Sequence, residues 1–263
     1  MSDHPSGGDP ARSLAVLWRT QERASRKGKP DLSVDRIARV GIELADAGGL
    51  AALSMRRVAD ELGVGTMSLY TYVPGKSELL DVMIDMVAGE TPRPEDVSGG
   101  WRERLTEVAR ANWALLNRHP WLLQVGKTRP PLGPMIMDKY EYELRTVDGI
   151  GLTDIEMDSV LTLVLGHAEI SARRAVDAAQ TVEQSGLTDE EWWGASAPLL
   201  EQLVDGSRYP VAGRVGTAAG EAYNAASDPQ HEFAFGLERV LDGVQALLDS
   251  RAATRDETPS DPT

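Results

Sequence analysis

The chain has 263 residues, contains no cysteine and carries a net charge of −14. The lack of cysteine excludes disulfides, thiolate zinc sites and cysteine nucleophiles. No run of about 18 apolar residues, the length that crosses a bilayer, occurs in the sequence, and residues 1–10 lack the apolar core of a signal peptide. We therefore expect a soluble cytoplasmic protein with no membrane contact.

The negative charge is unevenly distributed along the chain. Residues 1–80 hold 11 lysines and arginines against 10 acidic residues, whereas residues 81–263 hold 16 against 31. Because an acidic surface is repelled by phosphates, only the N-terminal part is expected to face nucleic acid.

Apolar spacing and capping residues predict an all-α fold, in which a three-helix unit with a helix-turn-helix precedes a larger helical domain. The predicted helices span residues 13–26, 34–46, 55–62, 66–72, 77–88, 101–118, 134–147, 153–179, 195–205 and 228–248. Ser33, Ser54 and Ser77 are the predicted caps of three of them. Residues 1–12 and the polar tail after residue 250 are expected to be disordered.

These elements divide the chain into four predicted regions. They are a flexible basic extension (1–30), a helix-turn-helix domain (31–76), a ligand-binding and dimerisation domain (77–250) and a disordered tail (251–263). The basic segment 12–29 has two interpretations, an arm that follows DNA phosphates or the minor groove, or a solvated helix.

The segment from Leu53 to Lys76 has the layout of a DNA-reading helix-turn-helix, with a turn at Gly63. The apolar residues spaced to pack between its two helices are Val58, Leu62, Val64 and Leu69. The remaining candidates for DNA contact are Ser54, Arg56, Thr66, Met67, Ser68, Tyr70, Thr71, Tyr72 and Lys76. Spacing alone equally fits a three-helix unit that never touches DNA.

The residue types in this segment suit a DNA surface. Hydroxyls of Thr66 and Ser68 can bond to bases or phosphates, and Met67 can touch a thymine methyl. Arg56 can reach a guanine, and Lys76 stands at the start of the next helix, where backbone amides bind phosphate.

Three stretches carry a family resemblance: Ala-Asp-Ala-Gly-Gly-Leu, Arg-Arg-Val-Ala-Asp-Glu-Leu-Gly-Val, and Leu69-Tyr70-x-Tyr72-Val73 followed by Lys76 and Leu79-Leu80. With them, residues 34–87 resemble the N-terminal domain of the TetR family of transcriptional repressors. The resemblance implies a homodimer on a palindromic double-stranded DNA operator. Its interface would be formed by two long helices, here residues 152–179 and 228–248; intramolecular packing is the alternative for the second.

The C-terminal part resembles the tetracycline-repressor-like sensor domain of that family. The matching stretches are His119-Pro120-Trp121, Thr128-Arg129-Pro130 and the segment from Phe233 to Gly243. The resemblance implies a pocket for a small-molecule effector, which the available residues suggest is amphipathic or aromatic. The predicted lining residues are Asn112, Trp113, Leu116, Trp121, Met135, Tyr140, His167 and Glu169, each of which core packing or a surface position would also explain.

The resemblance also bears on metals. Val125 and Ala175 stand where the tetracycline repressor has its metal-associated groups, so we predict no metal, no cofactor and no magnesium-tetracycline sensing. His119, which precedes a proline, is expected to be a loop residue satisfied by backbone groups.

Three functions were weighed. The sequence favours a ligand-responsive repressor: an effector binds the large domain, the helix after Pro74 moves, and two reading heads lose their operator spacing. An enzyme is disfavoured, because the histidines lack metal-ligand spacing and no phosphate loop or nucleophile elbow is present; no catalytic residue is predicted. The third possibility is a helical protein-interaction module of the same fold without specific DNA binding.

Overall fold

The computed structural model describes residues 9–20, 32–94, 97–125 and 129–256. Its described part contains α-helices, one 3-10 helix (Pro120–Gln124) and no strand, which confirms the all-α prediction. The helices are α1 (Pro10–Leu17), α2 (Val34–Ala52), α3 (Met55–Leu62), α4 (Thr66–Leu69), α5 (Lys76–Ala88), α6 (Trp101–Arg118), α7 (Pro134–Arg145), α8 (Asp154–Ser185), α9 (Asp189–Leu203), α10 (Pro210–Tyr223) and α11 (Pro229–Asp256).

Helices α2 to α4 form the unit that we call the reading unit. Side-chain oxygens of Ser33 and Ser54 accept hydrogen bonds from the amides of Arg36 and Arg57, both at 3.2 Å, and so cap α2 and α3 as predicted. Gly63 ends α3 in the left-handed conformation with φ of 65°, which a residue without a Cβ adopts at little cost. The turn therefore follows directly from the sequence.

The pair Gly48–Gly49 interrupts α2, as the sequence predicts. Gly48 and Gly49 have non-helical backbone angles, with φ of 67° at Gly49, and a short helical turn follows them. The break redirects the chain into Leu53, which is buried, and places α3 against α2.

Two apolar clusters organise the molecule. The first joins the reading unit to α1, α5 and the 3-10 helix, and the second joins α6, α8 and α11. Trp113 on α6 packs against both. The close fit in the first cluster is visible at Gly41, where a Cβ would lie 2.8 Å from the sulfur of Met83 on α5. Helix α5 thus links the reading unit to the larger helical body.

The N-terminal segment differs from the prediction. Helix α1 begins at Pro10, so residues 10–12 are ordered, and it ends at Leu17; the predicted continuation through 21–26 lies outside the described residues. Leu17 is buried in the first cluster. The indole of Trp18 donates to the carbonyl of Leu132 at 2.9 Å, and Arg19 pairs with Asp35 at 2.6 Å. Burial of Leu17 and these two polar contacts tie this segment to the helical body.

The C-terminal third also differs. A Thr153–Glu156 capping box opens α8 close to the predicted start at residue 153, but α8 continues to Ser185. Helix α9 starts earlier than expected, and α10 was missed because its glycines disfavour a helix. One of them has a packing role, since a Cβ on Gly220 would lie 2.7 Å from the ring of Trp193. Helix α11 extends to Asp256, so residues 251–256 are not a disordered tail.

Smaller differences occur at other helix ends. Helix α4 ends at Leu69 and α7 at Arg145, each earlier than predicted. Helix α5 begins at Lys76 with Gly75 as its N-cap, so the predicted cap at Ser77 is wrong. Within the described ranges, no helix is both long and apolar enough to cross a membrane.

Candidate nucleic-acid interface and effector region

Helix α4 presents a polar and exposed face. Leu69 points into the core and is fully buried, whereas Met67 is 77% exposed, and Ser68, Tyr70 and Thr71 are also exposed. The alternation follows from the short helical turn, which can bury one side only. The outer side matches the predicted recognition surface.

The preceding helix contributes charge beside this face. Arg56 is exposed on α3 and lies 3.9 Å from Asp60, one turn further along the same helix. Such a surface ion pair is weak and can be exchanged for a phosphate or base. Ser54 is occupied as the cap of α3, and Lys76 is half-buried at the first position of α5.

Two of the predicted DNA contacts are less exposed than expected. Tyr72 is half-buried and packs against the first apolar cluster, and Thr66 is half-buried at the start of α4. DNA could therefore contact only the parts of these two side chains that remain exposed. The predicted DNA contacts that are exposed are Arg56, Met67, Ser68, Tyr70 and Thr71.

In the larger body, Asn112 is buried and fully engaged. Its amide donates to the carbonyl of Val108 at 2.9 Å and to Glu143 at 2.7 Å. Glu143 is 2% exposed and also accepts from Lys139. Asn112 therefore holds a buried carboxylate in place rather than facing open space.

A cavity of about 240 Å³ lies on the other side of that carboxylate. It is bounded by the loop after α5, by α6 and by α7, and its lining residues are Thr91, Pro92, Pro94, Glu107, Val108, Arg110, Ala111, Tyr142 and Glu143. The hydroxyl of Thr91 is buried and finds no hydrogen-bond partner among the described residues. Burial raises the pKa of the Tyr142 phenol, and the carboxylates of Glu107 and Glu143 raise it further. None of the eight predicted lining residues borders this cavity.

An aromatic stack occupies the centre of the second cluster. Phe233 on α11 stacks on Trp113, with ring centroids 5.1 Å apart, and on His167, 5.7 Å away. His167 also meets the carbonyl of Phe233 at 2.9 Å. The indole nitrogen of Trp113 is buried and has no partner among the described residues. The sequence predicted Trp113 and His167 as lining residues but not Phe233. The signal that could have indicated Phe233 was its place in the C-terminal segment that resembles the family.

The other predicted lining residues are dispersed. Leu116 and Trp121 are buried in the first cluster. Met135 and Tyr140 lie at the surface of α7, where the Tyr140 hydroxyl donates to Asp158 at 2.8 Å and this bond raises the pKa of the phenol. Glu169 lies 3.5 Å from Arg173 on α8. The eight residues do not converge on one cavity.

A buried carboxylate ties α5 to α7. Asp85 accepts a hydrogen bond from the amide of Ile136 at 2.9 Å, and a Cβ on Gly133 would lie 2.2 Å from one of its oxygens. Burial raises the pKa of Asp85, while backbone amides and Arg19 oppose that shift. The carboxylate thus accepts from a backbone amide in the first turn of α7, which has no partner within its own helix. No group of acidic and histidine side chains suited to a metal ion is found in the described ranges.

Comparisons with known proteins agree with both regions. Residues 37–83 match the family model described as "Bacterial regulatory proteins, tetR family", and residues 93–248 match "Tetracyclin repressor-like, C-terminal domain". The HTH-type transcriptional repressor DrrR1 of Streptomyces coeruleorubidus is 45% identical over 93% of this chain and 88% of its own length. The class E tetracycline repressor protein of Escherichia coli is 24% identical over 85% of this chain and 95% of its own length.

A solved structure is similar over most of the fold. The TetR family protein ActR of Streptomyces coelicolor, in complex with actinorhodin, has a TM-score of 0.65 and 27% identity. The match covers 83% of this chain and 99% of that one.

Proposed function

The chain belongs to the TetR family of bacterial transcriptional regulators, and from that premise we propose a ligand-responsive repressor that binds a palindromic operator as a homodimer and is released by a small molecule. The observation that carries the proposal is the open face of α4 and the turn after it, where Met67 and Ser68 on the helix and Tyr70 and Thr71 in the turn are exposed around a buried Leu69. This is the arrangement by which a recognition helix meets base edges. The protein acts where the operator lies, in the cytoplasm.

The proposed contacts fall into two groups. Arg56, Met67, Ser68 and Thr71 face bases, because they are exposed on or beside α4. The groups that hold the phosphates on either side are Ser54, Thr66, Tyr70, Tyr72 and Lys76. The acidic body stands behind this surface and keeps the rest of the molecule off the DNA.

A second copy of the chain supplies the two-fold symmetry. Leu163 and Ile170 on α8 are each 60% exposed, and Phe235 on α11 is also exposed, so both long helices carry apolar side chains outward. Helix α9 has no buried residue yet exposes Trp192 and Leu203. Exposed apolar side chains on both long helices fit an interface, and a homodimer of α8 and α11 would cover them.

An amphipathic or aromatic effector fits the larger body. The cavity beside Glu143 offers apolar walls and the unpaired Thr91 hydroxyl. The Trp113–Phe233–His167 stack offers flat surfaces nearby, and the eight residues predicted from the sequence remain candidates that an effector would gather by opening this region. ActR, a protein of similar fold, was crystallised with actinorhodin. Binding would move α7, and through Asp85 would move α5 and the reading unit.

The proposal is tested by gel shift of the purified protein on its own upstream DNA. We expect a specific complex at moderate salt, at least tenfold weaker in Arg56→Ala and Tyr70→Ala variants that remain folded. Added amphipathic aromatic compounds that raise the melting temperature should release the complex.

Two results would contradict the proposal. Absence of any specific shift would favour the alternative, a protein-interaction module without specific DNA binding whose exposed α9 surface meets a partner protein, and unchanged affinity in both variants would contradict the proposed contacts of Arg56 and Tyr70. No catalytic role is proposed.

A further inference from the structure

His119 is a buried histidine whose two ring nitrogens both meet carboxylate oxygens. Its side chain is almost inaccessible, with Nδ1 2.8 Å from Asp46 and Nε2 3.1 Å from Glu90. The expectation that backbone groups satisfy this ring is therefore wrong. Asp46 belongs to α2 of the reading unit, Glu90 follows α5, and His119 joins α6 to the 3-10 helix. The ring thus lies where the reading unit meets the larger helical body, which we call the sensor body.

While both carboxyls are ionised, the hydrogen-bond pattern requires one charge state of this ring. An ionised carboxylate only accepts hydrogen bonds, and a neutral imidazole can donate from one nitrogen only. Both contacts are satisfied at once only when both nitrogens carry a proton, which makes the ring a cation. The ring is the partner that would be costly to leave unpaired, because its side chain is only 5% exposed, whereas those of Asp46 and Glu90 are 33% and 40% exposed and can be solvated.

Each carboxylate has a further donor. The indole of Trp121 donates to the same Asp46 oxygen at 2.8 Å, and Arg118 donates to the same Glu90 oxygen at 3.3 Å. On the α8 side of the 3-10 helix, Arg173 donates to the carbonyl of Leu123 at 2.7 Å and lies 3.5 Å from Glu169. Loss of one imidazole proton therefore leaves one of the two carboxylates with a single donor and removes the link between them.

We propose that His119, in its cationic form, is a positioning residue for operator binding: it ties Asp46 of the reading unit to Glu90 of the sensor body. The tie sets the orientation in which two reading units meet successive half-sites. When the ring is neutral, one nitrogen turns a lone pair toward a carboxylate and that contact is lost. The reading unit then samples more orientations, and the fraction competent for the operator falls. The inference rests on the proposed operator binding.

The test is a pH series of operator affinity at constant salt, from about pH 5.5 to about pH 9. We expect the native protein to lose about tenfold in affinity as the ring loses its proton. His119→Gln, which can donate to one carboxylate only, should bind about tenfold more weakly at low pH and show a flat profile. His231→Gln, on the exposed surface of α11, should retain the native profile.

Two further measurements separate positioning from mere stability. Asp46→Asn keeps an oxygen for the Trp121 indole but removes the charge, so its profile should be flatter than that of the native protein. Nitrogen-15 NMR of the histidine rings should show His119 doubly protonated at the pH of strongest binding. If His119→Gln fails to fold by circular dichroism, these two measurements decide.

Several results would overturn the inference. A neutral His119 ring at the pH of strongest binding, or parallel profiles for the native protein and Asp46→Asn, would each do so. Operator affinity that does not change with pH while the melting temperature does would show a structural role alone. A lack of specific binding at every pH would overturn the proposed function together with this inference.

Discussion

Buried polar groups are distributed unequally between the reading unit and the body behind it. From Val34 to Val73 the buried side chains are apolar, whereas from Glu78 onward the interior holds ionisable and polar groups. The charged or titratable ones are Glu78, Asp81, Asp85, His119 and Glu143. A dry apolar core packs as one rigid body, while buried charges depend on partners that protonation or a ligand can change. Under the proposed function, recognition would therefore lie on the apolar reading unit and regulation in the body with the ionisable interior.

The largest effect on stability is expected for a substitution in the apolar core of the reading unit. Leu69→Ala removes a fully buried side chain between α3 and α4 and should lower the free energy of unfolding by about 2–5 kcal/mol, because a cavity is left behind. Urea unfolding followed by circular dichroism measures it. Met67→Ala on the exposed side of the same helix is the matched control and should leave stability within about 0.5 kcal/mol. Equal effects in the two variants would mean that α4 is not packed as described.

An intermediate effect on stability is expected in the body behind the reading unit, whose interior holds ionisable groups. Asn112→Ala takes one donor from the buried carboxylate of Glu143 and should cost about 1.5–3 kcal/mol, the range for hydrogen bonds to charged groups. Asn117→Ala is the control, since that half-buried amide bonds only to a carbonyl of its own helix in the described contacts. If the control lost as much stability, Glu143 would not depend on Asn112.

The smallest effect should depend on pH. Burial raises the pKa of Asp85, so the native state holds this proton more tightly than the unfolded chain. Stability must then fall as pH rises from the ordinary aspartate pKa through the raised one. Asp85→Asn keeps an oxygen for the Ile136 amide and does not titrate. Its stability relative to the native protein should therefore increase with pH across that window.

Thermal melts at a series of pH values would compare the two proteins. A constant difference between them would contradict the burial of an ionisable Asp85. An advantage of the variant confined to low pH would contradict the direction of the shift.

Two helices, one of them in the reading unit, have the predicted boundaries because the signals at their ends are local. Met55–Leu62 and Trp101–Arg118 occur where predicted; Ser54 and Gly63 act on their own neighbours in the chain, and α6 follows a loop rich in glycine and proline. The open face of α4 follows from the helical period alone.

The sensor interior was harder to predict because its contacts are distant in sequence. His119 meets Asp46 and Glu90, which are 73 and 29 residues away, and no local pattern encodes that meeting. The predicted lining residues were chosen by type, whereas the cavity is lined by three segments that are distant in sequence: the loop after α5, α6 and α7. Helix α10 was not predicted because its glycines disfavour a helix. In the folded protein one of these glycines leaves room for the ring of Trp193.

The docking of α1 has a practical consequence for work on shortened chains. A protein that begins at residue 32, ahead of α2, would lose Leu17 from the surface of α5 and the Trp18 bond to Leu132. The uncovered apolar strip would favour aggregation during expression and invite proteolysis. Weak DNA binding by such a fragment would then report poor sample quality, not the chemistry of its recognition helix.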